Sequence, residues 1–242
     1  MRCDRCSFRG GHQGRLDGVE HTPAVDDYLK VVYSLQERGT THVGTSALAG
    51  KLGVSASSVS GMVRRLVGSG LVAHRPYGGI KLTAEGTDRA LQVLRRHRLL
   101  ECYLVSELGY GWDEVHDEAE ILEHHISDLL LTRIDAKLGH PSFDPHGDPI
   151  PRDDGTLPTV SARRLSTVDP GTRGRLVRVD DEDPDKLRYL AECAVGLGDT
   201  LTMLERRPFG GPFRVSAGDG ADAVEHEIGP ALAEALWVGP AG

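Results

Sequence analysis

TSALAGKLGVSASSVSGMVRRLVGSG, residues 45–70, decides how the first third of this chain folds. Leu48 and Leu52 fall on one side of a short helix running from Thr45 to about Lys51, and the turn Leu52-Gly53-Val54 ends it. Ser55 is of the type that accepts from the next turn's N–H groups, so it caps a second helix reaching about Ser69. Val59, Met62, Val63 and Leu66 recur there at helical intervals, and Gly70 closes the run. Helix, glycine turn and N-capped helix together make a helix-turn-helix. Upstream, Thr22-Pro23 opens a helix over Ala24–Glu37, whose Val25, Leu29, Val32 and Leu35 share a face. Downstream, LVAHRPYGGIKLT (71–83) is two β-prone runs around Pro76-Tyr77-Gly78-Gly79, a hairpin. A hairpin directly behind the second helix is a wing, so residues 23–83 are predicted as a winged helix-turn-helix.

Charge supports that division. Residues 1–83 carry 11 Lys+Arg against 6 Asp+Glu, whereas residues 84–138 carry 6 against 12 and residues 139–242 carry 11 against 18. A basic first third suits a polyanion; an acidic middle suits cations. No apolar run reaches the length of a membrane span, and the N-terminus lacks the apolar core of a secretory signal, so a cytoplasmic protein with no membrane partner is expected. Cys3 and Cys6 form a lone CxxC, and His12 and His21 are poorly spaced to complete a zinc site. Residues 1–22 are therefore read as a disordered extension with no required metal.

The middle of the chain reads as helices over 84–108, about 112–127 and 128–138. Thr83 caps the first of these and Gly109 stops it. RRHRLLE (95–101) and VHDEAEILEHH (115–125) concentrate metal-type ligands there. His97 and Glu101 are one helical turn apart; His116, Glu120, Glu123 and His124 fall at i, i+4, i+7 and i+8. A solvated charged face is the ordinary explanation of such spacing. Here Leu94, Leu100, Leu104, Ile121 and Ile126 crowd the same sides, and acids in apolar surroundings repel one another unless a cation intervenes. Residues 84–140 are read as an acidic, leucine-rich helical domain that binds metal, and the Pro-rich segment 141–159 as a linker. Short β-prone runs over 160–242, with a helix at 184–194, predict a small SH3-like β-barrel. The fold class is thus mainly α with small β parts.

RHRLLE, VHDEAE, LEHHIS and PHGDPIP, together with LAECAVGLGDTLTML in the last third, resemble the diphtheria toxin repressor family of metal-dependent transcriptional regulators, from about Val25 to the C-terminus. The resemblance implies dimerisation through residues 84–140, an SH3-like (FeoA-type) C-terminal domain and two metal sites. Carried over, the primary site is Asp27, Glu120, Glu123 and His124. The ancillary site is His97, Glu101 and His116, with Asp183 as donor from the C-terminal domain, and Arg98 stands where the iron-sensing branch holds an anion. That branch has methionine and cysteine where this chain has Asp27 and Glu120. Carboxylates suit hard cations, thioether and thiolate softer ones, so Mn(II) is expected, with Fe(II) second. Lys30 replaces a glutamate that builds a binuclear centre in the short manganese regulators, and this argues against that arrangement.

The expected activity is metal-dependent repression of metal-uptake genes by a homodimer on a palindromic operator of double-stranded DNA. Ser55, Ser57, Ser58 and Ser60 are candidate contacts on the helix that would enter the major groove, and Arg64, Arg65, Arg75 and Lys81 are candidate phosphate contacts. The rival from another class is a helical-bundle metalloenzyme. Di-iron bundles repeat Glu-x-x-His on two helices, and neither that repeat nor His-Glu-x-x-His occurs, so no catalytic residue is assigned.

Overall fold

The computed structural model describes residues 22–75 and 79–241. The expectations for Cys3, Cys6, His12 and His21, and for the turn residues Pro76, Tyr77 and Gly78, lie outside the described residues. The chain forms two compact units that divide between Thr87 and Asp88.

The first unit contains α1 (Pro23–Glu37), α2 (Thr45–Leu52), α3 (Ala56–Gly68), β1 (Val72–Arg75) and β2 (Gly79–Leu82). Pro23 sits in the first turn of α1, where a missing N–H costs nothing. Gly53 ends α2 in the left-handed conformation at φ 63°, and Ser55 Oγ accepts from Ser58 N at 3.1 Å to start α3. Leu29, Leu48, Val59, Leu66 and Ile80 are buried together as the core of this unit. β1 and β2 pair antiparallel from Val72↔Leu82 to Arg75↔Gly79, the predicted wing. Thr83 Oγ1 accepts from Gly86 N at 3.1 Å, which caps α4 (Ala84–Leu108). A Cβ on Gly86 would lie 2.0 Å from Leu71 O, so only glycine lets this turn of α4 meet the residue that leads into β1.

The second unit contains the rest of α4, α5 (Val115–Leu122), α6 (Asp128–Lys137) and a six-stranded antiparallel sheet. Its strands are β3 (Arg163–Arg164), β4 (Arg173–Val179), β5 (Thr200–Arg206), β6 (Phe213–Ala217), β7 (Val224–Ile228) and β8 (Leu236–Pro240), in the order β3-β8-β4-β5-β6-β7. The expected barrel is thus one continuous ladder, with β3 and β7 as its edges among the described residues. Bulges at Leu176/Arg178 and Met203/Glu205 bend it. With α7 (Pro184–Glu192) and α8 (Pro230–Glu234), it encloses Leu176, Leu187, Leu190, Met203, Val215 and Leu236. Leu99, Leu100, Ala119, Ile134 and Ile150 form a smaller core among the helices.

Two features depart from expectation. α5 stops at Leu122, so Glu123 and His124 lie in a turn rather than on a helix reaching Ser127. Ser127 is extended because its side chain caps α6, accepting from Leu130 N at 3.3 Å, and the chain must leave the helical path to supply that cap. Residues 141–159 contain almost no regular structure, yet Asp144, His146, Asp148 and Ile150 are buried. Asp144 Oδ1 accepts from His146 N (2.8 Å) and Asp148 N (2.9 Å), which makes the backbone fold on itself. Gly147 has φ 86°, and a Cβ there would lie 2.0 Å from Val177 O on β4. Arg98 donates to Pro149 O at 2.6 Å and Arg95 to Pro151 O at 2.8 Å, fastening the segment to α4. It is a packed strap and not a free linker.

Candidate metal centre

One turn of α4 separates His97 from Glu101, and one turn of α5 separates His116 from Glu120. The strap adds Asp144 and His146, and the loop after β4 adds Asp181. His97 Nε2 lies 3.0 Å from Glu101 Oε1 and 3.2 Å from His116 Nδ1. His116 Nδ1 lies 3.4 Å from Glu101 Oε1 and 3.1 Å from Asp181 Oδ2. Cis ligands at metal–ligand distances of about 2.1 Å stand roughly 3 Å apart, so these four side chains have the spacing of a coordination shell. His97 Nδ1 also meets Glu123 Oε2 at 2.6 Å, and Glu123 Oε1 lies 3.4 Å from His124 Nε2.

His146 is fully buried, and its Nε2 donates to Trp112 O at 2.6 Å. A carbonyl only accepts, so that nitrogen carries a proton. The other nitrogen, Nδ1, has no hydrogen-bond partner and faces Glu101 Oε1 at 3.8 Å and Asp181 Oδ2 at 4.0 Å. Glu101 Oε2 is likewise buried and unbonded. Two bare buried ligand atoms among carboxylates are expensive as they stand, and a divalent cation satisfies both. Burial alone would raise the Glu101 carboxyl, but His97, His116 and His146 around it bring it down to about 2. Burial opposes charge on His116, yet its hydrogen bonds with Asp181 and Glu101 push it up to about 11. Burial, then Asp148 and Glu101, push Asp144 well above the usual carboxylate range despite Arg98. The centre attracts positive charge, and its oxygen and imidazole donors fit a first-row divalent ion.

The expected ancillary trio His97, Glu101 and His116 therefore comes together. Its fourth member is Asp181 and not Asp183. Asp183 is the N-cap of α7, accepting from Asp185 N at 3.1 Å, and it lies 3.6 Å from Lys186. The Asp-Pro pair at 183–184 is a capping signal that already engages Asp183. Arg98 is buried with its guanidinium on Pro149 O and 3.6 Å from Asp144, so it helps hold the strap. Asp144, His146 and Asp181 were missed by sequence reasoning; the Asp-x-His-x-Asp alternation inside and just before PHGDPIP was the available signal. Glu120 Oε1 lies 3.6 Å from His116 Nε2, and its carboxylate can also group with His97 and Glu123. Asp27 lies half-buried on α1 in the first unit.

In the first unit, Ser55, Ser57 and Ser58 are exposed at the start of α3 and Ser60 is half-buried. Ser55 Oγ lies 2.8 Å from Ser57 Oγ and 2.9 Å from Ser58 Oγ, and Ser60 Oγ donates to Ala56 O at 2.9 Å. The hydroxyls thus form a compact cap, leaving N–H groups and small side chains at the helix start, a surface a phosphate or a groove edge can approach. Arg64, Arg65, Arg75 and Lys81 are all exposed.

Residues 20–80 match the family described as Iron dependent repressor, N-terminal DNA binding domain. Residues 83–152 match Iron dependent repressor, metal binding and dimerisation domain, and residues 163–239 match the FeoA domain. The iron-dependent repressor IdeR of Mycobacterium leprae is 31% identical over 217 residues, covering 85% of this chain and 94% of that protein. The diphtheria toxin repressor of Corynebacterium diphtheriae is 29% identical over 190 residues, 74% and 83% of the two chains. Among solved structures, a manganese-dependent transcriptional repressor in complex with manganese is 49% identical, with a TM-score of 0.85 over 90% of this chain and 100% of that one. The manganese regulator SloR is 33% identical, with a TM-score of 0.77 over 91% and 100%.

Proposed function

The chain belongs to the iron-dependent repressor family of metal-dependent transcriptional repressors, and we propose that the metal it answers to is Mn(II). The observation that carries a metal-responsive reading is the buried pair of bare ligand atoms, His146 Nδ1 and Glu101 Oε2, inside a cage of imidazoles and carboxylates. Every donor in that cage is oxygen or imidazole nitrogen, a set that suits Mn(II) better than a thiolate-bearing set would. The manganese-dependent repressors among the similar structures support the same choice. Fe(II) is the second reading, favoured by the iron-dependent repressors among the relatives.

On this reading His97, Glu101, His116 and Asp181, with His146 and Asp144 beside them, hold one ion. Glu120, Glu123 and His124 hold another, which Asp27 completes; that last assignment rests on the sequence pattern. Ligands from α1 and from the α5 turn then share an ion, which favours an ordered α1 and a DNA-competent protein. The repressor acts in the cytoplasm as a homodimer on a palindromic operator, with α3 in the major groove and the wing beside it. Metal-uptake genes are the target that fits a repressor switched on by plentiful metal.

The test is operator binding titrated with Mn(II), Fe(II), Co(II) and Zn(II) under anaerobic conditions. Mn(II) activates binding within the free-ion range that a cell holds for it, whereas Co(II) and Zn(II), which bind such donor sets more tightly, activate only above theirs, and Asp27→Ala loses the metal response while its melting curve stays that of a folded protein. Chelator-stripped protein that binds the operator as tightly as loaded protein refutes the reading.

A further inference from the structure

The hairpin that joins β5 to β6 has the sequence RRPFGGPF over residues 206–213. Its two phenylalanines go separate ways. Phe213 is buried in the core of the sheet, with the Arg206 guanidinium 5.4 Å from its ring centre. Phe209 is fully exposed at the tip. A single exposed apolar side chain is ordinary, but this one is exposed at the cost of backbone strain. Gly211 N donates to Pro208 O at 3.1 Å, so Phe209 and Gly210 are the central residues of the turn, and both have positive φ, 58° and 73°. Glycine or asparagine suits the first of these positions, and a bulky side chain is strained there. Pro208 and Pro212 flank the turn, and Arg207 N donates to Pro212 O at 3.2 Å. The tip is a stiff mount that holds an aromatic ring in water.

Charge on the tip is positive, since residues 206–213 hold two arginines and no acid. Arg206 is committed to Ser166 O and Val168 O. Arg207 meets Glu227 at 2.6 Å, in a pair whose side chains are both about half exposed. Exposed pairs of this kind hold their partners weakly, so Arg207 can exchange Glu227 for another carboxylate.

The second unit also carries a surface of the opposite character. An open cleft of about 470 Å³ lies between α4, the end of α6 and the strap. Pro141, Ile150 and Pro158 line it with apolar carbon, and three aspartates, Asp135, Asp153 and Asp154, outnumber its two arginines. Asp153 holds Arg95 at 2.9 Å while its own side chain stays 89% exposed. That guanidinium is available to the face of an aromatic ring. A cavity of about 150 Å³ admits benzene, so the cleft has room for a phenylalanine.

From these two surfaces we infer that Phe209 docks in the Pro141–Ile150–Pro158 cleft of a second copy of the chain, with Arg207 beside Asp153. Because the turn already fixes the ring, little conformational freedom is lost on docking. Each copy carries both halves, so a two-fold pair of copies makes the contact twice. It leaves Ile121, Leu129 and Leu130 on α5 and α6 untouched. The contact therefore adds to dimerisation through that domain and joins one homodimer to another.

The experiment is sedimentation velocity on the full chain over a wide range of protein concentration. The expected result is that the unaltered protein passes from homodimer to a heavier species as concentration rises. Phe209→Gly, which fits the turn without strain, keeps or raises the melting temperature and weakens that step roughly tenfold or more. Arg207→Asp and Asp153→Lys each weaken it, and the two changes together restore it, which a merely structural role for either residue would not do. A homodimer at every concentration overturns the proposal, and so does a Phe209→Gly protein that sediments as the unaltered one does. If Phe209→Gly weakens association but the paired charge swap restores nothing, the ring docks elsewhere and the cleft assignment falls. Vesicles of equal phosphatidylcholine and phosphatidylglycerol supply the last arm. If they capture the unaltered protein and not Phe209→Gly, the occupant is a lipid surface and the second copy is overturned.

Discussion

Asp181 and Asp183 differ by two positions and do different work. Asp181 is buried against His116, whereas Asp183 stands half-exposed at the start of α7. Asp181→Asn is expected to lower Mn(II) affinity by at least tenfold with little change in melting temperature. Asp183→Ala should leave the metal isotherm alone and cost about 1 kcal/mol of stability once the cap is removed. Calorimetric titration and thermal unfolding of the two variants, side by side, check both. Gly147 is a second case. Alanine there must adopt a left-handed backbone and place its Cβ against Val177 O. The expected cost exceeds about 1 kcal/mol, and the same change should reduce bound Mn(II) because His146 is the adjacent residue. Little of this could be read beforehand. In the run DDEDPD every carboxylate looks equivalent, and only the end of β4 at Val179 and the cap at Asp183 distinguish them. His97, Glu101 and His116 were legible because helical periodicity and the surrounding leucines fix which way they point. His146 was not, since no periodicity operates in an irregular strap.

Helices followed their end signals closely. α4 runs from Ala84 to Leu108, between the Thr83 cap and Gly109, as the sequence predicts, and α3 begins after Ser55. α5 is the exception, cut short because Ser127 is needed by α6, a competition between adjacent elements that a periodic face cannot reveal. Ser55→Ala tests the importance of the α3 cap. It should destabilise the protein by about 1 kcal/mol and weaken operator binding further than Ser69→Ala does, since Ser69 closes the opposite end of the same helix. The arginines on α3 give a separate prediction. Replacing Arg64 and Arg65 with alanine is expected to flatten the dependence of log affinity on log salt by roughly 1 for each phosphate that is no longer neutralised. An unchanged slope in a filter-binding or anisotropy titration would show that these side chains simply face solvent.

Across the whole molecule, Ile121 on α5 and Leu129 and Leu130 on α6 stand more than half exposed, within the region that matches a dimerisation domain. Large side chains exposed together are unusual on a free surface. Leu129→Asp combined with Leu130→Asp is expected to yield a monomer by light scattering, with operator affinity abolished and each chain's metal content retained. Charge alone divides the chain into a basic first third and an acidic remainder, in parallel with the matched DNA-binding and metal-binding domains. The packing of residues 141–159 was not legible, because proline and glycine signal a turn without saying whether it is buried.

The open ladder of the C-terminal sheet leaves two rims. β3 is only two residues long, too short to template much pairing, but β7 offers five residues, VEHEI, with no neighbour beyond it among the described residues. Glu225 and Glu227 are exposed on that strand, ion-paired to Arg214 and Arg207, and these charged side chains blunt the approach of another strand. Strip both carboxylates, as in Glu225→Val with Glu227→Val, and the rim becomes a sticky apolar ribbon. Concentrated solutions of that variant should turn turbid on warming while the unaltered chain stays clear.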